Sequence, residues 1–190
     1  MAIQINGNGT ITGISVGGLP NGIVDTDMLA ANAVTADKRG AGAILQVVQT
    51  TFTGNESTSS TSFGTTSLSV DITPSATSSK VYVMLTSGWY HGGSDQLFLQ
   101  LRRDSTVLLP YTGSAGATVT AGASAMLNGS VGTRAKESWN LNVLDSPSTT
   151  SAITYAVYWK VNSGSAVLGK WGLNDDFGNV STITAMEIAA

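Results

Sequence analysis

From residue 44 onward apolar side chains recur at every second position in short runs, and this period of two commits most of the chain to β structure. Successive side chains of a strand point to opposite faces, so Leu68, Val70 and Ile72 share one face in residues 67–72, and Leu97, Leu99 and Leu101 share one in residues 96–103. Pro74 closes the first of these, because proline cannot donate to a strand ladder. In residues 80–88, Val81, Val83 and Leu85 lie on one face and Tyr82 and Met84 on the other, which predicts a strand covered on both sides. Residues 44–51 are rich in β-branched side chains and form the first strand. Residues 54–64 are expected to be a loop, and 104–106 a tight turn into 107–109. Further strands are expected at 117–127, 137–145, 152–161, 166–171 and 180–188. Many short strands with closely spaced turns argue for a sandwich or barrel, and an all-β, antiparallel β-sandwich of jelly-roll type is the expected head.

Residues 1–43 differ in kind. Their apolar residues are isolated among glycines, and every aromatic residue of the chain lies later, starting at Phe52. Such a stretch cannot build its own core, so the expected division is an extended, mostly irregular anchoring segment, 1–43, and a head, 44–190. Residues 25–39 are the only modest run of helix formers, and a helix there would be short. A weak offset-of-ten similarity pairs Val24 with Val34, Asp27 with Asp37, and Val34 with Ile44; it falls short of a solenoid but suits a segment running along a neighbour. Closed symmetry among copies of the chain could bury apolar positions that one copy cannot, which makes Ile11, Ile14, Leu19, Val24 and Val34 the candidate anchoring and oligomer contacts.

Charge and cysteine content remove several function classes. Charged residues make up 11% of the chain, against roughly 25% in an average soluble domain. A net charge of -3 and a pI near 4.9 supply no basic field for phosphates, so no nucleic-acid partner is expected. No apolar run approaches the roughly 18 residues of a spanning helix, and residues 1–10 lack the features of a secretory signal, so no membrane partner is expected and assembly is expected in a cytoplasm. The absence of cysteine excludes disulfides, thiolate catalysis and Cys-ligated zinc.

Catalytic constellations are sparse. His91 is the only histidine; with Ser94 and Asp95 beside it a nucleophilic triad can be drawn, but a Gly-rich connection at 88–95 is the plainer reading. Asp175 and Asp176 are adjacent, so on extended chain they point apart, which suits neither a facing glycosidase pair nor an EF-hand. Arg102 and Arg103 read as a strand-end pair, and Gly7 and Gly9 have no following helix to make a phosphate loop. No hydrolase activity, cofactor or metal is expected. Binding through head loops is the remaining possibility. Trp89, Tyr90, Trp171 and Phe177 lie in or beside Gly/Asn/Asp-rich segments, where rings can stack on sugar C–H faces while polar groups take hydroxyls. The candidate receptor contacts are Trp89, Tyr90, His91, Asp95, Asn174, Asp175, Asp176 and Phe177; the competing reading places the four rings in the core or an interface.

Several blocks carry a resemblance. Gly9-Thr10-Ile11-Thr12-Gly13-Ile14, Gly17-Gly18-Leu19-Pro20-Asn21-Gly22, Asn32-Ala33-Val34-Thr35 and Gly42-Ala43-Ile44-Leu45-Gln46-Val47-Val48-Gln49 resemble the N-terminal part of tail-fibre and virion-appendage proteins of aquatic tailed bacteriophages. Ile72-Thr73-Pro74-Ser75-Ala76-Thr77-Ser78-Ser79-Lys80-Val81, residues 144–155 and Ser181-Thr182-Ile183-Thr184-Ala185-Met186-Glu187 resemble their C-terminal sandwich. The resemblance implies a virion location, a homotrimer, attachment to other virion proteins through the N-terminal segment, and a distal head that could contact host surface glycans. It leaves open a tail fibre or, alternatively, a capsid head fibre or decoration (cement) protein; a lectin-like glycan-binding module is a further alternative.

Overall fold

The computed structural model describes residues 4–5, 11–12, 29, 31, 33–34, 38–91, 96–110, 125–128, 135–169 and 180–190. The chain divides into two units, Met1–Arg39 and Gly40–Ala190. In the first, β1 (Gln4–Ile5) and β2 (Ile11–Thr12) pair antiparallel, with Ile5 opposite Ile11. No α-helix occurs among the described residues. The division falls four residues before the one expected from composition. Gly42 N donates to Ala189 O at 2.8 Å and Ala189 N to Ala43 O at 2.9 Å, so 40–43 are already tied to the head. Gly42 makes that bend at a φ of 85°, in the left-handed region glycine enters without steric cost.

The head is built from β3 (Ile44–Phe52), β4 (Asn55–Thr58), β5 (Gly64–Ile72), β6 (Lys80–His91), β7 (Gln96–Arg103), β8 (Thr106–Leu108), β9 (Ala125–Asn128), β10 (Ala135–Asp145), β11 (Ile153–Val161), β12 (Ala166–Gly169) and β13 (Ser181–Ile188). All pairings are antiparallel. In one sheet β10 lies beside β6, β6 beside β13, and β13 beside β3. β12 takes over the β13 edge of β6 at Trp89–His91 and carries β4 on its far side. In the other sheet the order is β5-β11-β7, with β8 and β9 sharing the far edge of β7. Read along the chain, β3, β6, β10 and β13 fall in one sheet and β5, β7, β8, β9 and β11 in the other. This interleaving is the double-sheet strand order of a jelly roll.

The alternation in the sequence explains why the two sheets face one another. Val81, Val83, Leu85, Ile183 and Ala185 from the first sheet and Leu68, Val70, Leu97, Leu99, Leu101, Val157 and Trp159 from the second are all buried in one cluster. Each strand thus turns its apolar set inward, and a slip of one residue would turn that set out to water. The turn after β7 forms as expected, with Asp104 at a φ of 49° leading into the Arg103–Thr106 pair. Asp tolerates that region better than most residues.

Two expectations are corrected. Residues 54–64 are not wholly a loop, since β4 runs through them against β12. Its sequence, Asn-Glu-Ser-Thr, has no apolar side chain to announce a strand. Residues 88–91 are not a loop either but the end of β6, held by β10 on one edge and β12 on the other despite Gly88.

The β12–β4 junction is so close that a Cβ on Gly169, which has a φ of 94°, would lie 2.2 Å from Gly54 O. Gly169→Ala is therefore expected to destabilise the head by about 2–4 kcal/mol, combining left-handed strain with a backbone clash. Gly64, whose Cβ would meet nothing within 4 Å, should accept alanine nearly without effect. Thermal melts of both variants check the pair; equal shifts would refute the close approach.

Candidate assembly face and the candidate site residues

The strand that carries Trp89 also decides its role. In β6 the odd positions point inward, and Trp89 is 2% exposed, its ring 5.5 Å from that of Trp159 at an interplanar angle of 57°. Its indole Nε1 donates to Ser87 Oγ at 2.6 Å, and Ser87 Oγ donates to Trp139 O at 3.1 Å, so the polar edge of the ring is satisfied inside the core. The expectation of Trp89 as a receptor contact is corrected. Gly88 reads as a loop signal, and the pairing with β10 and β12 carries the alternation of β6 through it to Trp89. Tyr90 and His91 complete β6 as backbone, opposite Lys136 and Ala135 of β10. Asp95, Asn174, Asp175, Asp176 and Phe177 lie outside the described residues, as do Ser94 and Trp171.

Of the anchoring candidates, Ile11 sits in β2 as backbone and Val34 is 53% exposed. Ile14, Leu19 and Val24 lie outside the described residues. Leu29, not singled out in the sequence, is exposed as well.

The head presents a face that pattern reading did not single out. On the outer side of the β10-β6-β13-β3 sheet, Leu144, Tyr82, Met186 and Val47 stand directly opposite one another in a row across four strands. Leu144 and Val47, at its ends, are 58% and 54% exposed. Ile44 and Ile188 extend the apolar area toward the start of β3, and Ile44 is also exposed. Toward the other end the rows turn polar but stay uncharged: Asn142, Met84, Thr184 and Gln49, then Asn140, Thr86, Thr182 and Thr51. Gln49 Nε2 donates to Thr184 Oγ1 at 2.8 Å, knitting the middle row. Lys80, at the apolar end, is the one charged side chain in these rows, and its Nζ donates to Ser146 Oγ at 2.8 Å. Strand spacing and rise make the four rows roughly 400 Å² of nearly flat surface, about half of what one partner contributes to a stable interface. Apolar side chains in a contiguous row on an exposed sheet face mark a contact surface better than the same residues scattered would.

At the same end of the sandwich two carboxylates, one buried and one part-buried, hold strands together. Glu187, 1% exposed, accepts from Ser75 N at 2.7 Å, Ser75 Oγ at 2.6 Å and Ser79 Oγ at 2.7 Å through Oε1, and from Gln46 Nε2 at 2.7 Å through Oε2. Burial pushes its pKa up, and the hydrogen bonds from Ser75, Ser79 and Gln46 outweigh that, leaving it below the usual glutamate range. Asp145 Oδ2 accepts from Arg103 Nη1 and Tyr155 OH, each at 2.7 Å, joining β10 of one sheet to β7 and β11 of the other. Burial raises the Tyr155 phenol far above its ordinary value, and the hydrogen bond to Asp145 acts in the same direction. These groups are engaged with the fold rather than aimed at solvent, so they read as structural. Among the described residues no group of three or more His, Cys, Asp or Glu side chains could hold a metal ion.

No protein-family model and no curated protein matches the chain. Among solved structures it is similar to infectious bursal disease virus, Gt strain, at 17% identity over 78% of this chain and 39% of that chain, with a TM-score of 0.35. It is likewise similar to the infectious bursal disease virus VP2 subviral particle, at 17% identity over 76% and 37% of the two chains, TM-score 0.35. The chain thus spans under half the length of these two structures.

Two outcomes test the side-chain roles. Trp89→Ala should lower stability by about 3–5 kcal/mol, as large aromatic truncations in cores do; a melting temperature within a few degrees of the parent would return the ring to the surface. For Glu187 the sign follows from its depressed pKa. Its contribution is fully present above the unfolded glutamate value of about 4.3 and is lost as pH falls through the lower folded value. Glu187→Gln should cost about 1–3 kcal/mol at pH 7, and the gap to the parent should narrow between pH 5 and pH 3. Parallel stability curves for the two proteins would show that the carboxylate is not held as its charged form.

Proposed function

We propose that this chain is a structural virion protein of a tailed bacteriophage, a subunit of a short trimeric appendage of the tail-fibre type. Residues 1–43 attach it to other virion proteins, and the jelly-roll head projects and contacts host surface glycans. The observation that carries the assembly reading is the outer face of the β10-β6-β13-β3 sheet, whose rows hold Lys80 as their one charged side chain and leave Ile44, Val47 and Leu144 each more than half exposed. An isolated head would leave that row in water, whereas closed symmetry lets copies of one chain cover it. A face of roughly 400 Å² is too small to hold subunits alone, which fits a subunit whose anchoring segment adds contacts of its own. The exposed Val34 and Leu29 are consistent with that addition. The sequence resemblance supports the virion location and the trimer. No nucleic acid, membrane or cofactor enters the reading, and the chain has no enzymatic role in it.

The decisive measurement is mass in solution for the full chain at low micromolar concentration, with Val47→Asp and Leu144→Asp as variants. Three chain masses are expected for the parent, and a fall toward one chain for the double variant with its β-rich circular dichroism unchanged. A folded monomeric parent would defeat the trimer. Gold-labelled antibody against the head should mark the tail of the intact particle; label over the shell would replace the tail appendage with a head fibre or decoration protein.

A further inference from the structure

The outer face of the second sheet carries a groove of about 410 Å³, within the range of small-molecule sites. Its cause is a β-bulge. Ser69 pairs with Ala156 and Thr65 with Tyr158, so three residues of β5, 66–68, oppose the single Val157 of β11. The strands part there, and Thr66 takes up the released ladder groups: its Oγ1 donates to Val157 O at 3.0 Å and accepts from Leu68 N at 3.1 Å. Bulges commonly re-aim side chains beside functional sites. Ala156 lies in the lining with only a methyl group, where most strand residues would fill the space.

The remaining lining is polar and fixed in place. Asp104 stands on the left-handed turn after β7; its N donates to Thr154 O at 2.8 Å and its Oδ1 accepts from Thr154 N at 3.0 Å. Thr154 Oγ1 donates to Asp71 Oδ1 at 2.5 Å. At the other end Tyr158 has the Arg102 guanidinium 4.0 Å from its ring centroid, and Arg102 Nε and Nη2 both donate to Gln100 Oε1, at 2.8 and 2.6 Å. Arg102 is therefore engaged on one side of the ring. Among the described residues the hydroxyls of Thr65, Ser69 and Tyr158 and the second carboxylate oxygen of Asp104 have no hydrogen-bond partner.

We propose that this groove binds a neutral saccharide unit, with the Ala156 methyl and the Tyr158 ring against its C–H surface and Asp104, Thr65 and Ser69 on its hydroxyls. A sugar hydroxyl both donates and accepts, as do the three protein hydroxyls, and the open carboxylate oxygen accepts a further hydrogen bond. The chemistry disfavours the other classes. A phosphate or sulfate would meet the Asp104 carboxylate, and an apolar ligand would strand the hydroxyls. This inference rests on the glycan-contact part of the proposed function and moves that contact from the head loops to a sheet face; it is independent of where on the particle the chain is attached.

The test uses the full chain and saturation-transfer NMR with D-glucose, D-galactose, D-mannose and N-acetyl-D-glucosamine as probes, and D-glucose 6-phosphate as the anionic control. Saturable binding of at least one neutral sugar in the millimolar range is expected. Ala156→Leu should abolish it by filling the groove. Asp104→Asn, which keeps the left-handed turn and the acceptor for Thr154 N, should weaken it about tenfold. If Ala156→Leu unfolds the head, Asp104→Asn alone decides. Binding that survives in a folded Ala156→Leu variant, or is unchanged by Asp104→Asn, would overturn the groove while leaving glycan contact elsewhere standing. Binding of the phosphorylated sugar alone would overturn the assignment of a neutral ligand. No binding of any probe by the parent would remove both the groove and the glycan contact, leaving the trimer and virion location to their own measurements.

Discussion

The Glu187 carboxylate is the constraint around which one end of the sandwich is organised. A charge with 1% exposure is costly unless hydrogen bonds compensate it. Here the donors come from Gln46 on β3 and from Ser75 and Ser79 in the connection that crosses from β5 in one sheet to β6 in the other. Gln46 Nε2 also donates to Thr73 O at 2.7 Å, so a single side chain from β3 clamps both the carboxylate and the crossing. Asp145 does the corresponding work between β10 and the opposite sheet through Arg103 and Tyr155. Apolar burial supplies most of the free energy of such a fold, but it is non-directional. Two carboxylates with directed partners at the crossings give the packed sheets one register instead of several.

Those same residues explain what the sequence blocks have in common. Gln46, Ser75, Ser79 and Glu187 belong to three of the blocks that carry the resemblance, far apart in the chain, and they meet at one carboxylate. Residues 96–103 were legible to the residue, because three leucines in strict alternation leave one solution. β4 was not, since an edge strand with no apolar side chain is made by its neighbour's ladder and leaves no periodic trace. The 88–91 stretch was misread for a related reason: Gly88 looks like a loop signal, yet paired edges on both sides outweigh its local preference. The early boundary at residue 40 depends on two backbone hydrogen bonds to Ala189, which no side-chain pattern encodes. The candidate surfaces were the least legible of all. A cross-strand row such as Val47, Met186, Tyr82 and Leu144 has its members up to about 140 residues apart, and its existence depends on pairings that alternation within one strand does not specify.

The two sheets spend their outer faces differently. On β10-β6-β13-β3 the rows from Met186 to Thr182 stand in register, and the one shift, between Glu187 and Ile188 against β3, falls at the apolar end. On β5-β11-β7 the bulge at Val157 breaks the register and leaves a concavity with hydroxyls around it. Flatness suits contact with a large partner and concavity suits contact with a small one, and the wide bulge of β5 against Val157 makes the difference. The low charge content of the chain has a local meaning in this light. Thr and Asn keep the polar half of the flat face hydrated without placing like charges where, in the proposed assembly, copies of the chain would meet.

That face is also directional. Its apolar rows, through Ile188 and through Met186, lie where β3 begins, and its Thr and Asn rows lie where β3 ends. A partner that buries it therefore gains most at one end, and the end in question is the one pinned by Glu187 and Asp145. Rigid backing matters for such a surface, because side chains on a fraying sheet end would lose conformational freedom on contact and return less of the burial as binding. Met186 is the immediate chain neighbour of Glu187, and Leu144 of Asp145, so each apolar residue of the contact row points outward from a position whose next residue points inward to a fixed hydrogen-bond cluster. The alternation that buries the core thus also stiffens the surface, and the clusters that fix the crossings hold the contact row in the geometry a neighbouring subunit would meet.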